Sequence, residues 1–397
     1  MGRRANAATC AAACAAALLA GCQHVAPALP GVADLKPQLQ LPDPFTFADG
    51  HPVRSKADWL RRRAELTVQV QHYELGAKPE PAPVQARMEG DDLVVTVAYD
   101  GRTLSFPAKI QLPDGGKAPY PAIIGMGAVT LDNDELRRMG VALITFPNNL
   151  VAEQKNAGSR GRGGFYDLYG SGHTAGAMSA WSWGVSRLID ALAQTPDTRI
   201  DAGRLGITGC SRNGKGAIVA GAFDERIKLT IAQESGSGGA AGWRISDGQK
   251  AAGQNVQTLA QIVTENVWFT EGFKQFRGAA ARLPFDQHEV MGLIAPRALL
   301  VVENTSMEWL GNESAWRTAL AAREIWTALG APDAMGIAQV GGHPHCQLPV
   351  SQYGYVIAYA RRFLLDEKEV DTRVLTTDGT FARDLKPWVG WSTPLLP

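Results

Sequence analysis

The chain has 397 residues, 45% of them hydrophobic, which supports a large buried core and excludes a disordered or fibrous protein. Lys plus Arg and Asp plus Glu each number 39, so the formal net charge is zero. That balance removes the electrostatic case for nucleic acid as a partner and favours neutral substrates.

Arg3 and Arg4 open a leader-like segment, Ala7 to Leu19 forms its apolar stretch, and Leu19-Ala20-Gly21-Cys22 closes it in the manner of a bacterial lipobox. The expectation is a lipoprotein signal peptide over 1–21, with Cys22 as the lipid-bearing first mature residue. The protein is then an exported bacterial lipoprotein of the periplasm, outer membrane or cell surface, held to a membrane only through that lipid. The Pro-rich, weakly patterned segment 22–42 reads as a tether, which leaves 43–397 as a single catalytic domain.

Helical spacing runs from Asp58 to Tyr73. Leu93–Tyr99 and Ser105–Leu112 alternate apolar and polar residues around Asp100-Gly101, the pattern of a hairpin. Ala122–Gly125 and Val141–Phe146 are short apolar runs of the kind buried parallel strands show. A long helix is expected from Gly176 to Leu192, then strands at Arg204–Thr208, Leu229–Ala232, Ala298–Val302 and Gly336–Val340. Helices are expected at Ala217–Phe223, Ala315–Leu329 and Tyr353–Leu365. This alternation predicts an α/β fold, a mostly parallel doubly wound sheet in three layers, with active residues at the carboxyl ends of strands.

Gly209-Cys210-Ser211-Arg212-Asn213-Gly214-Lys215-Gly216 sits at one such strand-to-helix corner. A serine there is a nucleophile elbow, which needs small residues two before and three after the serine; Gly209 and Gly214 hold those places. The glycine spacing around Lys215 lacks the form of a phosphate-binding loop. A serine hydroxyl must pass its proton to a positioned base, itself oriented by a carboxylate. Gly341-Gly342-His343-Pro344-His345-Cys346 supplies histidines directly after the last core strand, in the serine, acid, histidine order of α/β-hydrolases. No further ligand cluster accompanies the His-x-His pair, so no metal and no cofactor is expected. For the acid, Glu234, Glu303 and Glu308 all lie past strand ends, and spacing does not choose among them. An exported setting permits a disulfide between Cys210 and Cys346, which would tie the elbow to the histidine loop; two free thiols are the alternative.

Four blocks in this order, the elbow itself, Gln233-Glu234-Ser235-Gly236-Ser237-Gly238-Gly239 with Trp243-Arg244, Glu303-Asn304 with Glu308-Trp309, and Gly342-His343-Pro344-His345-Cys346, closely resemble the glucuronoyl esterases of carbohydrate esterase family 15. The resemblance covers roughly Pro121 to Leu365 and implies an α/β-hydrolase that cleaves esters between 4-O-methyl-glucuronic acid on xylan and lignin alcohols. It implies Ser211 as nucleophile, His345 as base and Glu234 as acid, with Glu308 and Glu303 in reserve because some bacterial relatives take the acid from the later strand. It further implies Arg212 as oxyanion stabiliser, a Cys210–Cys346 disulfide, and Lys215, Gln257, Glu265 and Trp309 as the sugar pocket. Bidentate polar partners and one flat apolar face suit a hydroxyl-rich ring. Extra cysteines of fungal members are absent. The implied partners are glucuronoxylan and lignin-carbohydrate esters, acted on by a monomer. The competing readings are an acetyl xylan or other carbohydrate esterase with the same triad, and a noncatalytic carbohydrate-binding lipoprotein.

Overall fold

The computed structural model describes residues 29–397. The expected signal peptide and lipid-bearing Cys22 lie outside the described residues. A single sheet of ten strands runs through the molecule in the order β1-β2-β3-β5-β4-β6-β7-β8-β9-β10. The strands are β1 (Val84–Glu89), β2 (Asp92–Tyr99), β3 (Arg102–Gln111), β4 (Tyr120–Met126), β5 (Ala142–Phe146), β6 (Ile200–Cys210), β7 (Ile227–Gln233), β8 (Ala298–Glu303), β9 (Met335–Gln339) and β10 (Leu375–Thr377). β1, β2 and β3 are antiparallel, and β3 joins β5 antiparallel. From β5 through β4 to β10 every pairing is parallel.

The hairpin between β2 and β3 turns on Asp100 and Gly101, both at positive φ (46° and 72°), as a tight turn matched to strand twist requires. The edge strand β1 and the short outer strand β10 had no counterpart in the sequence reading. β6 starts at Ile200, ahead of the Arg204 start expected from the sequence.

Alternate residues of the central strands face opposite layers, the two-residue period of a pleated strand. Leu299 and Val301 of β8 join the larger apolar cluster, with Trp181, Leu188, Ile218 and Ile325 from the helices Ala177–Gln194, Arg212–Phe223 and Asn312–Ala328. Leu300 and Val302 face the other way, onto Val356, Tyr359 and Leu364 of the helix Val350–Leu364. The result is the expected α/β-hydrolase sandwich.

Residues 29–42 do not form the free tether expected for 22–42. Tyr73 donates its hydroxyl to Pro30 O at 2.7 Å, and Gln38 N–H reaches Ala281 O at 2.7 Å. Leu41 N–H bonds Trp388 O at 2.9 Å, with the Leu41 side chain buried. Polar backbone and an apolar anchor hold this stretch to the domain, which outweighs the entropy its prolines would leave free.

Candidate active site

Parallel pairing fixes where the functional loops emerge. Cys210 lies opposite Gln233, Gln233 opposite Val302, and Glu303 opposite Gln339. The residues that follow β6, β7, β8 and β9 therefore leave the sheet side by side, where ligands of open α/β sheets bind.

Ser211 occupies φ 59°, ψ −129° between β6 and the helix Arg212–Phe223, which starts immediately after it. A side chain tolerates this backbone only under strain, and the neighbouring packing enforces it. A Cβ on Gly209 would meet Asn213 O at 2.4 Å, and one on Gly214 would meet Gln233 O at 2.7 Å. Those two glycines let the helix fold back onto the strand and raise the serine above it.

His345 donates from Nδ1 to Glu234 Oε2 at 2.6 Å, and Cys346 N–H donates to Glu234 Oε1 at 3.0 Å. Glu234 is 2% exposed and itself at positive φ (44°). This bond keeps the other imidazole nitrogen free to accept a proton. Of the three acids open to the sequence, only Glu234 reaches the histidine. Glu303 accepts from Ser235 N–H and Oγ–H at 3.0 and 3.2 Å, and exposed Glu308 accepts from Asn255 N–H at 3.2 Å. His343 is tied to Asn304 and to the Val340 carbonyl instead.

Ser211, Arg212, Lys215, Gln257, Glu265, Trp309 and His345 line one cavity of about 510 Å³. No hydrogen bond joins Ser211 to His345, a looseness common in nucleophile–base pairs outside the reacting complex. Arg212 is exposed at the rim, at the first residue of the elbow helix. Lys215, one turn on, is 3% exposed, donates from Nζ to Ser235 O and lies 5.7 Å from the Trp268 ring centre. Burial pulls its ammonium down to about 8. Gln257 donates from Nε2 to Glu265, and its backbone N–H reaches Trp309 O at 3.1 Å. Trp309 is 37% exposed and meets the His345 ring edge-on at 5.2 Å.

The same cavity is lined by Met126, Ala128, Thr130 and Trp268, which the sequence reading missed. The strand-end rule pointed to the first three, at the carboxyl end of β4, and Trp268 lies three residues from Glu265. Cys210 and Cys346 form a disulfide with Cα atoms 5.6 Å apart, so the elbow and the histidine loop are covalently joined. Potential ligand atoms of Cys210, His345 and Cys346 gather within 4.8 Å, but both sulfurs are spent in that bond and the trio is no ligand set.

With this geometry in place, comparison with known proteins is specific. Residues 95–330 match the family model described as glucuronyl esterase, fungi. The 4-O-methyl-glucuronoyl methylesterase of Hypocrea jecorina is 46% identical over 370 residues, 93% of this chain and 79% of that protein. The enzyme of the same name from Podospora anserina is 49% identical over 361 residues, 90% of this chain and 75% of that protein. The solved glucuronoyl esterase catalytic domain from Hypocrea jecorina superposes with a TM-score of 0.89 at 45% identity, covering 93% of this chain and all of that one (100%). These relatives are proteins of fungi and the matching model is the fungal one, which overturns the expected localisation as an exported bacterial lipoprotein. From the elbow glycines to the histidine loop, the fold, the site and the matches agree, and the chain belongs to the glucuronoyl esterases of carbohydrate esterase family 15, within the α/β-hydrolases.

Proposed function

We propose that the chain hydrolyses the ester between 4-O-methyl-glucuronic acid of glucuronoxylan and an alcohol, including the alcohols of lignin, as a serine carboxylic ester hydrolase of the glucuronoyl methylesterase type. Ser211 Oγ attacks the uronate carbonyl while His345 takes its proton and Glu234 steadies the imidazole. The Arg212 backbone N–H and guanidinium meet the oxyanion. Preorganised donors of this kind are typically worth about 3 to 4 kcal/mol each. Collapse expels the alcohol with a proton returned from His345, and water then attacks the acyl-enzyme by the same route. Lys215, Gln257, Glu265 and Trp309 grip the sugar ring, so the acid side of the ester is the side that is recognised. The observation that carries the reading is the bond from half-buried His345 to buried Glu234, with His345 opening into the same cavity as Ser211 and a set of polar groups around a tryptophan.

The packing of residues 29–42 on the body supports one catalytic domain reaching from residue 29 to 397. Side-by-side assays with benzyl glucuronate and acetylated xylan test the specificity. Release of glucuronic acid is expected; release of acetate alone would retain the nucleophile and remove the uronate pocket.

A further inference from the structure

The acid that ends β8 stands where α/β-hydrolases often keep their triad carboxylate, yet its side chain bonds Ser235 and not His345. Glu303 is fully buried, and its Oε1 accepts both the N–H and the hydroxyl of Ser235. Ser235 directly follows Glu234. Its carbonyl is held by Lys215 Nζ, and its Oγ takes the Ala240 N–H at 2.9 Å. The residue after the triad acid is thus pinned on every polar atom, and Glu303 supplies two of those bonds. A left-handed corner at a non-glycine residue costs energy and persists only when its surroundings hold it.

Glu303 Oε2 is buried and has no hydrogen-bond partner among the described residues. A buried anionic oxygen without a partner is far more expensive than a neutral one. The groups facing this carboxyl are Glu234 and Ser235 from the β7 corner and Lys215 from the elbow helix, while Gln352 of the last helix reaches only its backbone oxygen, at 3.4 Å. Lys215 is engaged with Ser235 O, and Glu234 is a like charge.

We propose that Glu303 is a positioning residue for hydrolysis, a neutral carboxylic acid that holds the Glu234 corner through Ser235 and leaves Glu234 the only carboxylate charge beneath His345. Burial, and next the Glu234 charge, push the Glu303 carboxyl up to about 8, in keeping with a proton retained at neutral pH. The kinetic consequence rests on the esterase reading above; the protonation state does not.

The test combines Glu303→Gln and Glu303→Ala with infrared titration between pH 5 and 9 and with kcat on a glucuronoyl ester. Because Glu74 is another buried acid pushed up to about 8, the parent-minus-Glu303→Gln difference spectrum isolates the group. A protonated-carboxyl band at pH 7 that vanishes in Glu303→Gln is expected, with kcat at pH 7 within about threefold of the parent because the amide oxygen still accepts from Ser235. Glu303→Ala should lower kcat by about tenfold or more by stranding two buried donors. Where that variant does not fold, Ser235→Ala, which removes the hydroxyl arm to Glu303 together with the acceptor of the Ala240 N–H and leaves the backbone arm in place, should lower kcat by about threefold or more. Loss in Glu303→Gln as deep as in Glu234→Gln would show that a charge is needed and overturn the proposal. Absence of the band, or full kcat in the variant that loses the Ser235 bonds, would overturn it as well. A parent inactive on glucuronoyl esters would sink the esterase reading alone, with the infrared arm still deciding the proton.

Discussion

Glu234→Gln separates orientation from mere proximity. The two Glu234 oxygens serve different donors, His345 Nδ1 at 2.6 Å and Cys346 N–H at 3.0 Å. A glutamine can accept from only one of them. If its oxygen stays on Cys346, its amide NH₂ faces Nδ1, which must then accept, and the imidazole proton moves to Nε2, where the Ser211 proton has to go. If its oxygen stays on His345, donor meets donor at Cys346 in a site 2% exposed, at a cost of about 1 to 3 kcal/mol. The first arrangement prevails, and kcat should fall by about 10³ to 10⁴, equivalent to roughly 4 to 5.5 kcal/mol of transition-state stabilisation. KM should hardly move, since the residues proposed to grip the sugar are untouched. Steady-state kinetics on methyl 4-O-methyl-glucuronate, with circular dichroism to verify the fold, measure this. A loss below about tenfold would mean that Glu303 or Glu308 can orient the histidine, and would refute the reasoning.

The disulfide and the buried acids give two further expectations. Cys210–Cys346 closes a loop across 136 residues, and removing that constraint from the unfolded chain is worth on the order of 5 kcal/mol in the chain-entropy model. The Cys210→Ala/Cys346→Ala pair should therefore lose about 2 to 5 kcal/mol in denaturant unfolding, and a change under about 0.5 kcal/mol would contradict it. Burial raises Glu74 from 4.5 to about 8 and Glu289 from 4.5 to about 7. Between those limits the folded protein keeps protons that the unfolded chain has released, so these groups make stability fall as pH rises from about 4.5 to about 8. Both Glu74 oxygens accept, from Gln287 Nε2 and Trp243 Nε1, so Glu74→Gln carries a pH-independent cost; the Tm of Glu74→Gln minus that of the parent should nevertheless rise from pH 5 to pH 8, and a difference that stays flat or falls would contradict the assignment.

Much of this was legible because it is local. The elbow could be read from Gly209 and Gly214, which stand where a Cβ would strike Asn213 and Gln233 backbone. The core strands β4 to β9 announce themselves as unbroken apolar runs, since both faces are buried. β1 was not legible because its residues Val84–Glu89 are at most half buried on one face, and β10 because three residues carry no period. The choice of acid was invisible for a different reason. Glu234, Glu303 and Glu308 all stand at or past the carboxyl ends of strands, and which one meets His345 depends on the left-handed turn at Glu234 and on Ser235 capturing Glu303, neither of which spacing encodes. The Pro-rich stretch before residue 43 looked like a linker by composition, yet backbone bonds to Ala281 and Trp388 dock it. Partners more than 200 residues away leave no local mark.

The central claim, a serine esterase that recognises the uronate, is met most directly by one comparison. The parent protein and Ser211→Ala are each given methyl 4-O-methyl-glucuronate, with turnover followed by acid release and binding by calorimetry. The account predicts turnover by the parent, loss of at least about 10⁴-fold in Ser211→Ala, and binding of the ester by the variant with an affinity close to the parent's KM. Turnover that survives in Ser211→Ala, or a parent that binds the ester without cleaving it, would contradict the account.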